Sequence, residues 1–146
     1  MYEDALARVD LFSGLRKKEL KDLATHCSES TYRPGSVLLS QGEQGLGLYI
    51  LTKGTVRITR KNSPDGAEEV LATAGVGDVI GELALLDDLP RSATVTAVDE
   101  VTVLKLALWE FRRFLRRSLR SDPDVGLDLL AVLSRRLRKA EQRATE

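Results

Sequence analysis

From Tyr32 to Ala107 the chain divides its aliphatic residues into short runs: SVLLS at 36–40, LYILT at 48–52, TVRITRK at 55–61, EEVLATA at 68–74, ATVTAV at 93–98 and VTVLKLA at 101–107. Each is shorter than the roughly ten residues an amphipathic helix needs, and β-branched residues dominate, which suits a pleated surface. Val56 and Ile58 alternate with Arg57 and Thr59, so one face of that strand is expected to be buried. Elsewhere the alternation is blurred, as in strands covered on both faces. Gly35, Gly54 and Gly77 each stand two residues before a valine that opens a run, which puts the residue most tolerant of turn conformations at the joints. NSPDG at 62–66 reads as an exposed hairpin tip. This pattern predicts a mainly β fold over residues 31–107, either a sandwich or a jelly-roll-like β-barrel.

Helices are expected on both sides of it. Residues 1–30 carry apolar side chains at helical spacing in two pieces, Asp4 to Val9 and Arg16 to His26, broken at Ser13 and Gly14. Residues 108–143 predict two more. Leu108, Phe111, Phe114 and Leu115 mark the first, and Asp122 with Pro123 forms an N-cap and first-turn pair for the second. Leu130, Leu133, Leu137 and Ala140 make a stripe along the last helix, which either packs on the β-structure or a ligand or forms a short parallel dimer seam. At 146 residues and 42% hydrophobic content the chain is expected to make one domain with one core.

Charge excludes a global pull toward nucleic acid or membrane: Lys plus Arg and Asp plus Glu are each 22. The arginines nevertheless crowd the last third, from Arg112 to Arg143, where they read as a solvated face. A lone cysteine, Cys27, excludes an internal disulfide and fits a cytoplasmic setting; the acidic start MYEDALARVD does not read as a leader, and no apolar run of membrane length is expected to span a bilayer. One histidine, His26, leaves a His-rich metal centre without ligands and a Ser-His-Asp set without its base, so neither a catalytic nor a metal site is expected.

The residues with the clearest chemistry lie in IGELALLDDLPRSATV, at 80–95. Gly81 lets a ligand approach the backbone, and the residues from Glu82 to Leu86 can form one helical turn whose free N–H groups face an anion. Arg91 offers a planar, permanently charged fork suited to phosphate oxygens, with the Ser92 hydroxyl and the Ala93 N–H beside it. Glu82 would repel a phosphate, so its partner should be a hydroxyl donor such as a sugar 2′-OH. Phosphate and hydroxyl together imply a nucleotide. Taken singly, Glu82 and Arg91 could instead form an ion pair across a loop, and Gly81 could be a bulge.

As a set, GELAL followed after LDDL by PRSATV resembles the phosphate-binding cassette of the cyclic nucleotide-binding domain. That family includes the catabolite activator protein, the regulatory subunit of protein kinase A and cyclic-nucleotide-gated channels. LARVDLFSGL resembles its N-terminal helices, YRPGSVLLSQGEQGLGLYILTKGTVRI its first strands, and the last two helices its B and C helices. The resemblance implies that Gly81, Glu82, Leu83 and Ala84 wrap the cyclic phosphate and ribose, that Glu82 accepts the 2′-OH, and that Arg91 holds the exocyclic oxygens. It places the purine against Val70, Leu71, Ala72 and Ile80, capped by Leu133, Arg136 and Leu137 from the last helix. The ligand would be cAMP or cGMP, and its binding would move the C-terminal helices, with an effector domain or a second copy joined through the last helix as partner.

One position departs from the family pattern: Leu46 stands where an acidic residue often pairs with the cassette arginine. The rival readings are a ligand-free scaffold of the same fold and a nucleic-acid binder that uses the C-terminal arginines. No helix-turn-helix pattern is read after the β-region in these residues, so nucleic acid is not expected as a partner.

Overall fold

A computed structural model describes residues 2–81 and 90–145, with side chains to Gln142. The predicted helices form at the expected places: α1 (Glu3–Ala7) and α2 (Lys17–Thr25), joined through a 3-10 turn (Asp10–Phe12), then α3 (Leu108–Ser121) and α4 (Asp124–Thr145) after the strands. The strands are β1 (Ser28–Tyr32), β2 (Val37–Leu39), β3 (Gly47–Lys53), β4 (Val56–Arg60), β5 (Glu69–Ala74), β6 (Val79–Ile80), β7 (Thr94–Ala97) and β8 (Val101–Ala107). They form two antiparallel sheets, in the orders β1-β8-β3-β6 and β2-β7-β4-β5.

That order is the jelly-roll order, but the barrel expected from the sequence is not closed: among the described residues no ladder joins the two sheets. What joins them is packing. Leu51, Val101, Val103 and Ile80 from the first sheet meet Leu38, Leu39, Val56, Val95 and Ala97 from the second in one buried cluster. The first sheet is covered on both faces. In β8, Val101 and Val103 point to the other sheet, whereas Leu104 and Leu106 join Leu48 and Ile50 of β3 under the helices. This explains the blurred alternation of VTVLKLA. Side chains from α1, α2 and α3 fill the helical side, where Phe111 lies between Phe12 and Phe114 at ring-centroid distances of 5.8 and 6.1 Å.

β1 has no apolar pattern: SESTY is polar and mostly exposed. It is a strand because an edge of β8 was open to it, and it pairs from Ser28↔Lys105 to Tyr32↔Val101. The joints behave as their glycines imply, with positive φ at Gly35, Gly54 and Gly77. At Gly54, with φ +88, a Cβ would stand 2.3 Å from the Glu100 carbonyl oxygen, so the β3–β4 turn admits no other residue without moving the backbone.

The face by which α4 packs differs from the leucine stripe read in the sequence. Val125 and Val132 are buried and Leu129 and Leu133 are half-buried, while Leu130, Leu137 and Ala140 point to solvent. The valines and Leu129 set the period of the contact, and Arg136 extends it by pairing with Asp10 of the 3-10 turn. No helix of the described residues is long and apolar enough to cross a membrane.

Candidate functional site

The predicted cassette arginine, Arg91, is the one buried charged residue among those described, at 8% exposure. Its position follows from the strands around it. Among the described residues the β3–β6 ladder runs as far as Tyr49↔Ile80, and just past that rung a gap separates the carbonyls of Gly47 and Gly81. Arg91 closes the gap: Nη2 donates to the Gly47 carbonyl at 2.6 Å and Nη1 to the Gly81 carbonyl at 3.3 Å. Its backbone is clamped as well, since Arg91 N–H donates to the Glu43 carbonyl at 2.8 Å and its carbonyl accepts from Gly42 N–H at 2.9 Å.

Two glycines make room for the guanidinium. A Cβ on Gly45 would lie 2.3 Å from its central carbon, and a Cβ on Gly81 would lie 2.3 Å from Nη1 and 3.0 Å from the Gly47 carbonyl oxygen. Gly81 also holds φ at +90, so both the space and the backbone conformation call for glycine. The group that comes close to the Gly81 backbone here is the Arg91 guanidinium, and Gly45 of the β2–β3 loop gives it room on a second side.

Arg91 lines a cleft of about 470 Å³ together with Tyr49, Lys105, the Gly45–Gly47 backbone and, at the mouth, Trp109. Lys105 is the one charged residue in β8; its Nζ lies 5.3 Å from the ring centroids of both Tyr32 and Tyr49. A hydrogen bond to Tyr32 holds the Lys105 ammonium above its ordinary pKa, and burial, then Tyr32, raise the Tyr49 phenol. Both groups therefore keep their protons at neutral pH, and the cleft lining combines two cations and a phenolic donor with the carboxylates of Glu43 and Glu110. Neither Tyr49 nor Lys105 was singled out from the sequence, although a lone lysine inside VTVLKLA was a legible signal.

Of the other predicted residues, Ser92 is exposed and Ala93 half-buried beside Arg91. Glu82, Leu83 and Ala84 lie outside the described residues. Val70, Leu71 and Ala72 sit together on β5, an edge strand, with Val70 and Leu71 at 58% and 41% exposure; they do not line the Arg91 cleft. Ile80 packs into the core between the sheets. On α4, Leu133 packs on the helical core, Arg136 bonds to Asp10, and Leu137 is exposed; none of the three lines that cleft. Leu46, which replaces the acid that often pairs with this arginine, points to solvent while its carbonyl accepts the N–H of Leu108, the first residue of α3, at 3.0 Å. Among the described residues no group of three His, Cys, Asp or Glu side chains could hold a metal ion.

Comparison with known proteins agrees with this arrangement. Residues 29–118 match the family model described as the cyclic nucleotide-binding domain. A CRP-like cAMP-activated global transcriptional regulator of Mycobacterium tuberculosis is 33% identical over 137 residues, 94% of this chain and 59% of that protein. The chain thus spans somewhat over half the length of that relative. The crystal structure of the N-terminal domain of a transcriptional regulator from Streptomyces coelicolor superposes with a TM-score of 0.75 at 39% identity, covering 97% of this chain and 95% of that one. The regulatory domain of Toxoplasma gondii PKA, solved with cAMP, gives 0.80 at 26% identity over 95% of this chain and 49% of its own. With its jelly-roll sheets, its buried cassette arginine and this match across 29–118, the chain belongs to the cyclic nucleotide-binding domain family.

Proposed function

We propose that the chain is a non-catalytic regulatory module that binds cAMP, with the cyclic phosphate on Arg91, Ser92 and the Ala93 N–H, and the ribose on Gly81, Glu82, Leu83 and Ala84. The observation that carries this is the state of Arg91: a nine-tenths buried guanidinium bonded to two backbone carbonyls. Charge-assisted bonds from a guanidinium to phosphate are roughly twice as strong as neutral ones, so an arriving phosphate competes well for these donors. Names among the relatives favour cAMP over cGMP. Titration calorimetry with cAMP should give a saturable, one-to-one heat with a Kd on the order of micromolar or below, tighter than cGMP. No heat with either nucleotide at millimolar concentration would refute the assignment.

The purine would lie against Val70, Leu71 and Ala72 of β5, and α4 would close over it through Leu137, coupling the ligand to the C-terminal helices. The exposure of those residues supports the proposal, because apolar side chains without protein partners are available to a base. Since Leu137 is 62% exposed, Leu137→Ala should barely change the thermal midpoint, yet it should weaken cAMP about tenfold by losing about 1–2 kcal/mol of apolar contact. Unchanged affinity in that variant would rule out Leu137 as the cap.

A further inference from the structure

A second cleft, of about 580 Å³, opens on the other face of the β2-β7-β4-β5 sheet, between the β4–β5 hairpin and the start of the β2–β3 loop. Its floor carries two threonines. Thr59 and Thr94 are register partners on β4 and β7, and because Ile58 and Val95 beside them point into the core, both threonines point out. Gln41 roofs them. Its side chain splints the hairpin, donating from Nε2 to the Lys61 carbonyl at 2.8 Å and accepting the Lys61 N–H on Oε1 at 2.9 Å, while its own N–H donates to Thr94 Oγ1 at 3.0 Å.

The hydroxyl chemistry of this pair is unusual for the molecule. In the other sheet, Thr31 and Thr102 are also register partners, and their hydroxyls bond to each other at 3.2 Å. Thr59 is 1% exposed, yet among the described residues its hydroxyl has no hydrogen-bond partner, and that of Thr94 accepts from Gln41 and so keeps its own proton to give. A buried hydroxyl left unpaired costs free energy, and a ligand oxygen in the cleft that Thr59 lines would recover it. Lys61 at the mouth adds a cation. Glu68 also lines the cleft, which disfavours a bare polyanion and favours an anion that carries a hydroxyl for the carboxylate to accept.

We propose that this cleft is a second binding site, for the phosphate group of a small hydroxyl-bearing phosphate monoester of the sugar-phosphate class, with the Thr59 and Thr94 hydroxyls and Lys61 as its donors. Gln41 holds the two walls in place before the ligand arrives, so little ordering is needed on binding. The site uses no residue of the cyclic-nucleotide assignment and stands independently of it.

Amide NMR shifts of the whole chain, titrated with ribose 5-phosphate and separately with inorganic phosphate, test the proposal. Saturating shifts at Thr59, Lys61 and Thr94 are expected, with a Kd on the order of a millimolar or lower for the ester and weaker binding of inorganic phosphate. Thr59→Val should weaken the ester at least tenfold while raising the thermal midpoint, because it deletes the unpaired hydroxyl; Lys61→Ala should weaken it without shifting the midpoint. Shifts still linear at tens of millimolar, equal binding of the two ligands, or undiminished binding to Thr59→Val would overturn it.

Discussion

Replacing Arg91 with alanine is expected to weaken cAMP by at least two to three orders of magnitude and to lower the stability of the free domain at the same time. The first effect follows from the fork: two charge-assisted hydrogen bonds at about 1.5–3 kcal/mol each are lost together. The second follows from what the guanidinium does before any ligand arrives. With it gone, the carbonyls of Gly47 and Gly81, just past the Tyr49↔Ile80 rung, lose the guanidinium as donor, at about 1–3 kcal/mol for each one that water does not reach. Arg91→Lys separates the two effects, since a single ammonium reaches one carbonyl and cannot present a planar fork. It should recover part of the stability and little of the affinity. Calorimetry at a temperature where circular dichroism shows both variants folded makes the comparison, and wild-type affinity in Arg91→Ala would remove the cassette arginine from the site.

The same pair of effects shows what the sequence could and could not reveal. The cassette was legible because its chemistry depends on residue types at fixed spacing: a glycine for close approach, an arginine for the fork, a proline before it. The spacing named Gly81 and Arg91 but not that Gly81 takes φ +90 or that Arg91 is buried against two carbonyls, and residues 82–89 lie outside the described ones. The helices were legible from the 3.6 period, and the β-region from its glycine joints. What escaped was set by contacts distant in sequence. β1 reads as polar loop and is a strand only because β8 offers an edge. Val125 and Val132, rather than the leucine stripe, seat α4, because the surface it meets is made by Leu11, Phe12 and Phe111 from far along the chain. Gly45 and Gly47 matter through Arg91, 46 and 44 positions later, a relation that only the fold creates. The open edges of the two sheets, where a closed barrel was one expectation, lie beyond what strand count and turn spacing can decide.

The helical layer is where the greatest loss of stability is expected, at Phe111. Its ring is 1% exposed and lies 5.8 Å from Phe12 and 6.1 Å from Phe114, so it ties the 3-10 turn to the first helix after the sheets. Phe111→Ala should cost about 3–5 kcal/mol, the usual toll for emptying an aromatic site that its neighbours only partly refill. Against a total of about 5–15 kcal/mol for a domain, that is a large fraction, and at about 2–4 °C per kcal/mol it should lower the thermal midpoint by roughly 10 °C. The shape of the transition carries further information. Leu48, Ile50, Leu104 and Leu106 belong to the Phe111 cluster, but they share β3 and β8 with Leu51, Val101 and Val103 of the inter-sheet cluster. Two cores built on opposite faces of the same strands should melt together, so far-UV ellipticity and tyrosine fluorescence should shift by the same amount in the variant. If the helical signal moved and the tyrosine signal did not, the two layers would be separable units.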